Sequence, residues 1–185
     1  MNTRIQKLIS RQTILSLLFA IPLLLTSCGF HLQGELPLAP PLKQLYLETS
    51  DPYGQLTKNL QQYLKMSNVI LTSSRLDAKT ILIIISDTTS QLFLSVNSTQ
   101  QTRQYNLVVT VVFEITDQNG NVILGPQTLA ESKPITIQSN QILGSSNETT
   151  LYYQQMRRTL AYAIMNRIAS KEVREMINKH FSNRL

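Results

Sequence analysis

Between Tyr105 and Thr116 apolar and polar side chains alternate almost without a break, and that pattern admits few ways of being buried. Tyr105, Leu107, Val109, Val111, Phe113 and Ile115 fall on one face. Asn106, Val108, Thr110, Val112, Glu114 and Thr116 fall on the other. Period-two alternation marks a strand with one face on a core and the other wet or against a polar partner. At about 3.3 Å per residue the stretch spans roughly 40 Å, longer than most globular strands.

The flanking sequence supplies what this strand must pair with. Thr80–Ser86 holds the β-branched run Ile81-Leu82-Ile83-Ile84-Ile85, which predicts a strand buried on both faces, with Leu92, Phe93, Leu94 and Val96 as its continuation. Asp117-Gln118-Asn119-Gly120-Asn121 predicts a hairpin turn, the Asn-Gly pair favouring type I′. A return strand is expected from Val122 to about Gln138, interrupted at Gly125-Pro126. Upstream, Gln44–Thr49 alternates as a short strand. Asp51 as N-cap and Pro52 at the first helical position then open a helix carrying Tyr53, Leu56, Leu60, Tyr63 and Leu64, ending near Met66. Asn68 and Ser73-Ser74 punctuate a turn region around Val69-Ile70-Leu71.

Tyr152, Met156, Leu160, Ile164 and Ile168 recur every fourth residue, one apolar stripe of a final helix. Ser145, Ser146 or Asn147 caps it, and Glu148 complements the dipole of its first turn. Val173, Met176, Ile177 and Phe181 continue the stripe with a shift of face, so one helix can run from about 147 to 180. Arg157, Arg158, Arg167, Lys171 and Arg174 lie mainly off the stripe, as a solvated face does. Strand, helix, long antiparallel strands and long helix can bury their apolar faces only against each other. The result is an α+β two-layer sandwich.

The first residues obey a different logic. Arg4, Lys7 and Arg11 precede an apolar run from Ile14 to Leu25, broken by Ser16 and Pro22. That run is about 12 residues, roughly 18 Å as helix, whereas a span needs about 20; the h-region of an export signal has this shorter length. It ends in Leu25-Thr26-Ser27-Cys28-Gly29, which matches a bacterial lipobox. Residues 1–27 are therefore expected to be a signal peptide cleaved before Cys28, whose thiol takes up diacylglycerol and whose new amino group takes an N-palmitoyl chain. A single acyl chain anchors only marginally, so two or three are needed. With one cysteine no intramolecular disulfide is available, and acylation removes a free thiol from an oxidising compartment. Gly29 in place of Asp after the cysteine suits delivery to the outer membrane.

Residues 28–43 contain Pro37, Pro40 and Pro41 and read as an extended tether, leaving 44–185 as one folded domain. Without Arg4, Lys7 and Arg11 the chain carries 14 basic and 11 acidic residues, a net +3 in place of +6. That balance tolerates an anionic partner without demonstrating one, and nucleic acid is not expected in the periplasm.

Catalytic constellations are lacking. His31 and His180 have no carboxylate or nucleophile near them in sequence, two distant histidines make no metal site, and the six glycines form no phosphate loop. No enzyme and no cofactor is expected. Two polar clusters stand out instead: Asn97–Gln104, joining two long strands, and Ser139-Asn140-Gln141 with Ser145-Ser146-Asn147. Either reads as solvated loop or as a tip that meets a polyhydroxylated or phosphorylated ligand, with Arg103 and Lys133 as the nearby cations.

The opening Cys28-Gly29-Phe30-His31-Leu32-Gln33-Gly34 closely resembles the LptE (RlpB) family of lipopolysaccharide-assembly lipoproteins. Leu47–Leu56 resembles the family's strand and Asp-Pro-x-Gly/Ser-x-Leu helix start, and Arg103–Val111 its central strand. The resemblance implies two helices packed on one face of a mainly antiparallel four-stranded sheet. It implies an outer-membrane lipoprotein on the periplasmic side that plugs the lumen of the LptD β-barrel, assists its assembly and contacts lipopolysaccharide. Basic positions of some family members fall near Ser98 and Ser145. Those serines suit sugar hydroxyls, while phosphate contact passes to Arg103 or Lys133. Two rival readings are an autonomous lipid or glycolipid carrier, with a closed apolar cavity between helices and sheet, and a structural envelope lipoprotein without ligand.

Overall fold

The computed structural model describes residues 36–97, 102–138 and 142–183, with side chains in the last stretch from Asn147 onward. In chain order these form β1 (Gln44–Thr49), α1 (Gln55–Met66), β2 (Ile70–Leu71), β3 (Thr80–Val96), β4 (Thr102–Asp117), β5 (Val122–Gln138), α2 (Ile142–Ile168) and α3 (Lys171–Ser182). Short 3₁₀ turns lie at Pro40–Lys43 and Arg75–Asp77.

The two-layer α+β architecture is as expected, but its details are not. The sheet has five strands in the order β2-β1-β3-β4-β5, not four. It is mixed: β1 runs parallel to both β2 and β3, while β3–β4 and β4–β5 are antiparallel. The reason lies in the strand–helix–strand order. α1 carries the chain back across the layer, so β1 and β3 leave in the same direction. The stretch around Ile70 and Leu71, short enough to read as turn, hydrogen-bonds β1 as the added edge strand.

The described residues hold three α-helices where two were expected. α2 stops at Ile168, and Ser170 takes an extended conformation with its hydroxyl accepting from the Val173 amide at 3.3 Å. A straight helix would carry Val173 and Ile177 away from the face of Ile164 and Ile168. The break at Ala169-Ser170 turns them back, and all four side chains are fully buried. α1 also starts later than expected. Gly54, not Asp51, is its N-cap residue, while Asp51-Pro52 forms a turn closed by Gly54 N–H donating to the Asp51 carbonyl.

Leu82, Ile84, Leu107, Val109, Val111, Phe113 and Ile115 from the sheet meet Leu56, Leu60, Leu64, Met156, Leu160 and Ile164 from the helices in one core. Burying each Leu or Ile contributes about 1.5–3 kcal/mol relative to leaving it exposed. Leu38, Ala39 and Leu42 belong to the same core. The C-terminal part of the expected tether is therefore packed structure, and the fold begins ahead of Gln44. The run expected to be buried on both faces is so only at its start: Ile81 and Leu82 are fully buried, but Ile85 is 47% exposed. A register shift between Ile84 and Ser86 pushes Ile85 out of the ladder.

The hairpin between β4 and β5 is not type I′. That turn needs positive φ at both central residues, whereas only Gly120 here has it, at 84°. Gly120 N–H donates to the Asp117 carbonyl and Asp117 N–H to the Asn121 carbonyl, closing a three-residue loop. Pro126 sits on β5, a sheet edge that needs no donor from it. The register shifts there, between Phe113–Gln127 and Ile115–Leu124.

Candidate functional site

β1 pairs with β3 only as far as Thr49–Ile84. Beyond that point β3, β4 and β5 continue alone as a three-stranded antiparallel blade, with register running out to Val96–Arg103 and Thr102–Gln138. Its helix-facing side carries Asp87, Gln91, Phe93, Tyr105, Lys133 and Ile135, and α2 lies over part of it. Arg157 of α2 pairs with Asp87 at 2.7 Å, and the Tyr153 hydroxyl donates to the Ser90 carbonyl at 3.2 Å. Burial pushes the Tyr153 hydroxyl pKa above its ordinary value, an effect that nearby Arg157 opposes.

Among the described residues the other side of the blade is open and mostly polar. Strand register places Thr88, Ser90, Thr110, Thr128, Ser132 and Thr136 there, with Val108, Val112, Asn106, Gln104 and Ala130 among them and Leu92 and Pro134 toward the far end. Glu114 is the one charged side chain on that side of the β3–β4–β5 pairs. Among the described residues, only the base is covered. There Arg75 Nη1 bonds Glu48 Oε2 at 2.6 Å, Gln118 Nε2 donates to the Leu76 carbonyl, and Ile81 and Thr116 are buried. The expectation of a wet, largely polar second face on the long strand is met over most of its length.

At the far end Phe93 and Tyr105 stack edge to face, 5.7 Å apart, and Ser95 Oγ bonds Gln104 Oε1 at 2.9 Å. Arg103 is exposed there, beside Val96 and Ile137. Lys133 sits four residues back along β5 from Ile137, about 13 Å away, on the same side. Its ammonium lies 4.1 Å from the centre of the Tyr152 ring. The Tyr152 hydroxyl donates to Glu148, and this bond to a carboxylate raises its pKa. The two candidate cations are thus not brought together. Lys133 is engaged by an aromatic face within the fold.

Ser98, Cys28 and His31 lie outside the described residues. Ser145 falls in the first turns of α2, where side chains are not described. Because Thr102 pairs with Gln138, the chain leaves β3 and β5 at the same end of the sheet, which is where the two polar clusters begin. His180 is not an isolated polar residue: its Nε2 lies 3.1 Å from Asp117 Oδ2. Sequence inspection missed this contact, since nothing local marks two residues 63 apart. Among the described residues no cluster of three or more His, Cys, Asp or Glu could hold a metal, and no helix is long and apolar enough to cross a membrane.

Two cavities among the described residues flank the blade, both small and largely polar-lined. One of about 260 Å³ is lined by Thr49, Ser50, Asp51, Thr57, Asp87 and Arg157 among others. Another, about 170 Å³, lies between Thr136, Glu148, Thr149 and Tyr152.

This two-layer fold is shared by solved structures of bacterial lipoproteins. A crystal structure of rare lipoprotein B from Shewanella oneidensis superposes with a TM-score of 0.61 at 27% identity, over 70% of this chain and 96% of that one. A minor lipoprotein from Acinetobacter baumannii gives 0.56 at 27% identity, over 69% and 91%. The family model described as "LptE: Lipopolysaccharide-assembly" matches residues 42–168, so the chain belongs to the LptE family. The LPS-assembly lipoprotein LptE of Yersinia enterocolitica is 38% identical over 108 residues, 57% of this chain and about half (52%) of that protein. That of Photorhabdus laumondii is 26% identical over 85% of this chain and 86% of its own length.

Proposed function

We propose that this chain is an outer-membrane lipoprotein of lipopolysaccharide assembly, exported by residues 1–27 and anchored through acylated Cys28. Its domain plugs the lumen of an LptD-type β-barrel from the periplasmic side, assists the barrel's assembly and helps pass lipopolysaccharide to the outer leaflet. Family membership supports the assembly role. The observation that carries the plug is the open face of the blade: three long strands whose uncovered side bears mainly hydroxyls, amides and aliphatic groups, Leu92 among them, around a lone carboxylate. A water-filled lumen accepts such a surface without burying unpaired charge.

Exposed Arg103 is the first choice for a lipopolysaccharide phosphate contact. Lys133, held over Tyr152, is the second, and Ser98 and Ser145 remain candidates for sugar hydroxyls.

The test is native extraction of the tagged, full-length chain from outer membranes, with mass identification of what accompanies it. Recovery of a large β-barrel protein in stoichiometric amount is expected, and its absence overturns the plug. Replacing Cys28 by Ala should release the protein from the membrane fraction.

A further inference from the structure

From Asp87 to Val96 every residue of β3 is exposed, and no described strand pairs with it on the side that β1 leaves at Ile84. An open strand edge presents unpaired backbone donors and acceptors, which is a template for another extended chain; within this one the Ser90 carbonyl is already engaged by the Tyr153 hydroxyl. Folded proteins ordinarily blunt such edges with proline and charge. The opposite edge of this sheet follows that rule: β5 carries Pro126, Glu131, Lys133 and Pro134. β3 does not. Beyond Asp87, which is paired with Arg157, the segment Thr88–Val96 contains no charge and no proline. Its last part is apolar and open, with Leu92, Phe93 and Leu94 between 53% and 58% exposed.

We infer that this edge receives a β-strand from the barrel partner, an uncharged extended segment that adds to the sheet along Thr88–Val96. The inference rests on the plug reading above and names the contact through which the plug is held. Backbone hydrogen bonding supplies the fit, and the side chains set the direction: the segment is polar where it meets Thr88–Gln91 and apolar where it meets Leu92–Val96. Self-pairing along the full segment fits that requirement poorly: centred on Gln91 and Leu92, it sets Val96 opposite Asp87 and Leu94 opposite Thr89, apolar against polar.

A photoreactive amino acid placed singly at Thr88, Ser90 and Leu92 in the full-length lipoprotein, co-expressed and co-purified with the barrel, tests the inference. Probes at Thr128 and Ser132 on β5, which lie on the open face of the blade, serve for comparison. The expected result is adducts from β3 that map to one barrel segment and advance along it by two residues for each two-residue step on β3, while any adducts from β5 show no such register. Scattered adducts from β3 without register, adducts in register from β5, or adducts with a second copy of this chain would each overturn strand addition. So would a lack of adducts in a preparation that retains the barrel, and that outcome leaves the plug itself standing. If the barrel does not co-purify, the plug reading fails and this one with it. As a second measurement, Leu92→Lys with Leu94→Lys changes two exposed side chains. It should abolish the adduct from Ser90 while the thermal melt stays unchanged; persistence of the adduct counts against the inference.

Discussion

The imidazole Nε2 of His180, near the end of α3, lies 3.1 Å from the Oδ2 of Asp117, the last residue of β4. Asp117 is 2% exposed. Its Oδ1 accepts from the backbone amides of Asn119 and Asn121, and the Asn121 side-chain amide donates to both carboxylate oxygens. One buried carboxylate therefore shapes the hairpin and docks the last helix against it. Asp117→Asn puts an NH₂ where donors already converge. A loss of about 2–3 kcal/mol is expected, roughly 5–10 °C in Tm for a domain of this size. His180→Ala should cost less, about 1 kcal/mol, since the turn bonds remain. Equal losses from both variants would show that the helix contact, not the turn, dominates.

The helix break makes a separate prediction. Ser170 caps α3 with its hydroxyl on the Val173 amide. Ser170→Ala should destabilise by about 1 kcal/mol, and Ser170→Asp should restore most of it. Urea unfolding of the pair checks this; an unchanged midpoint for the alanine variant would mean that packing of Val173 and Ile177 alone sets the break.

Arg167, in the last turn of α2, reaches across that break to Glu172 at 2.6 Å and also bonds Gln127 of β5. The guanidinium holds the Glu172 carboxyl below its ordinary pKa, by hydrogen bond first and by charge second. A carboxylate whose folded pKa is lowered contributes its full stability above the unfolded value. The contribution is lost as pH falls through the folded one. Glu172→Gln should therefore flatten the stability–pH curve below about pH 4.5 and leave its shape near neutrality unchanged. Unfolding midpoints measured from pH 7 to 3 decide it. Parallel curves for wild type and variant would dismiss the pair as a source of acid sensitivity.

The two cations at the blade should separate in both stability and binding. Arg103→Glu changes an exposed side chain, and its stability effect should stay within about 0.5 kcal/mol. Lys133→Glu removes a cation from the Tyr152 face and should cost about 0.5–1 kcal/mol. Lipopolysaccharide binding, read by pull-down with the folded variants, should fall more for Arg103→Glu. Unchanged binding in both discards these residues as its carriers.

Much of this fold is legible in local sequence because it is written in local periods. The alternation of Leu107 to Ile115 predicted a half-buried strand, and each of those five helix-facing residues is fully buried. The four-residue spacing from Tyr152 to Ile168 predicted the core face of α2, with Met156, Leu160, Ile164 and Ile168 buried. The class of fold follows from such faces alone, since each must find apolar surface to cover it. Period carries no information about which strand lies beside which, or where along its neighbour it stops. That β1 runs parallel to β3 and ends at Ile84, that Asp117 meets His180, and that α2 breaks at Ser170 to return Val173 to the core are outcomes of packing between distant segments. The open edge of β3 and the uncovered face of the blade are products of those same decisions. The sequence by itself determined the long strands, the main helices and their buried faces; only the tertiary structure decided which surfaces the described residues leave open.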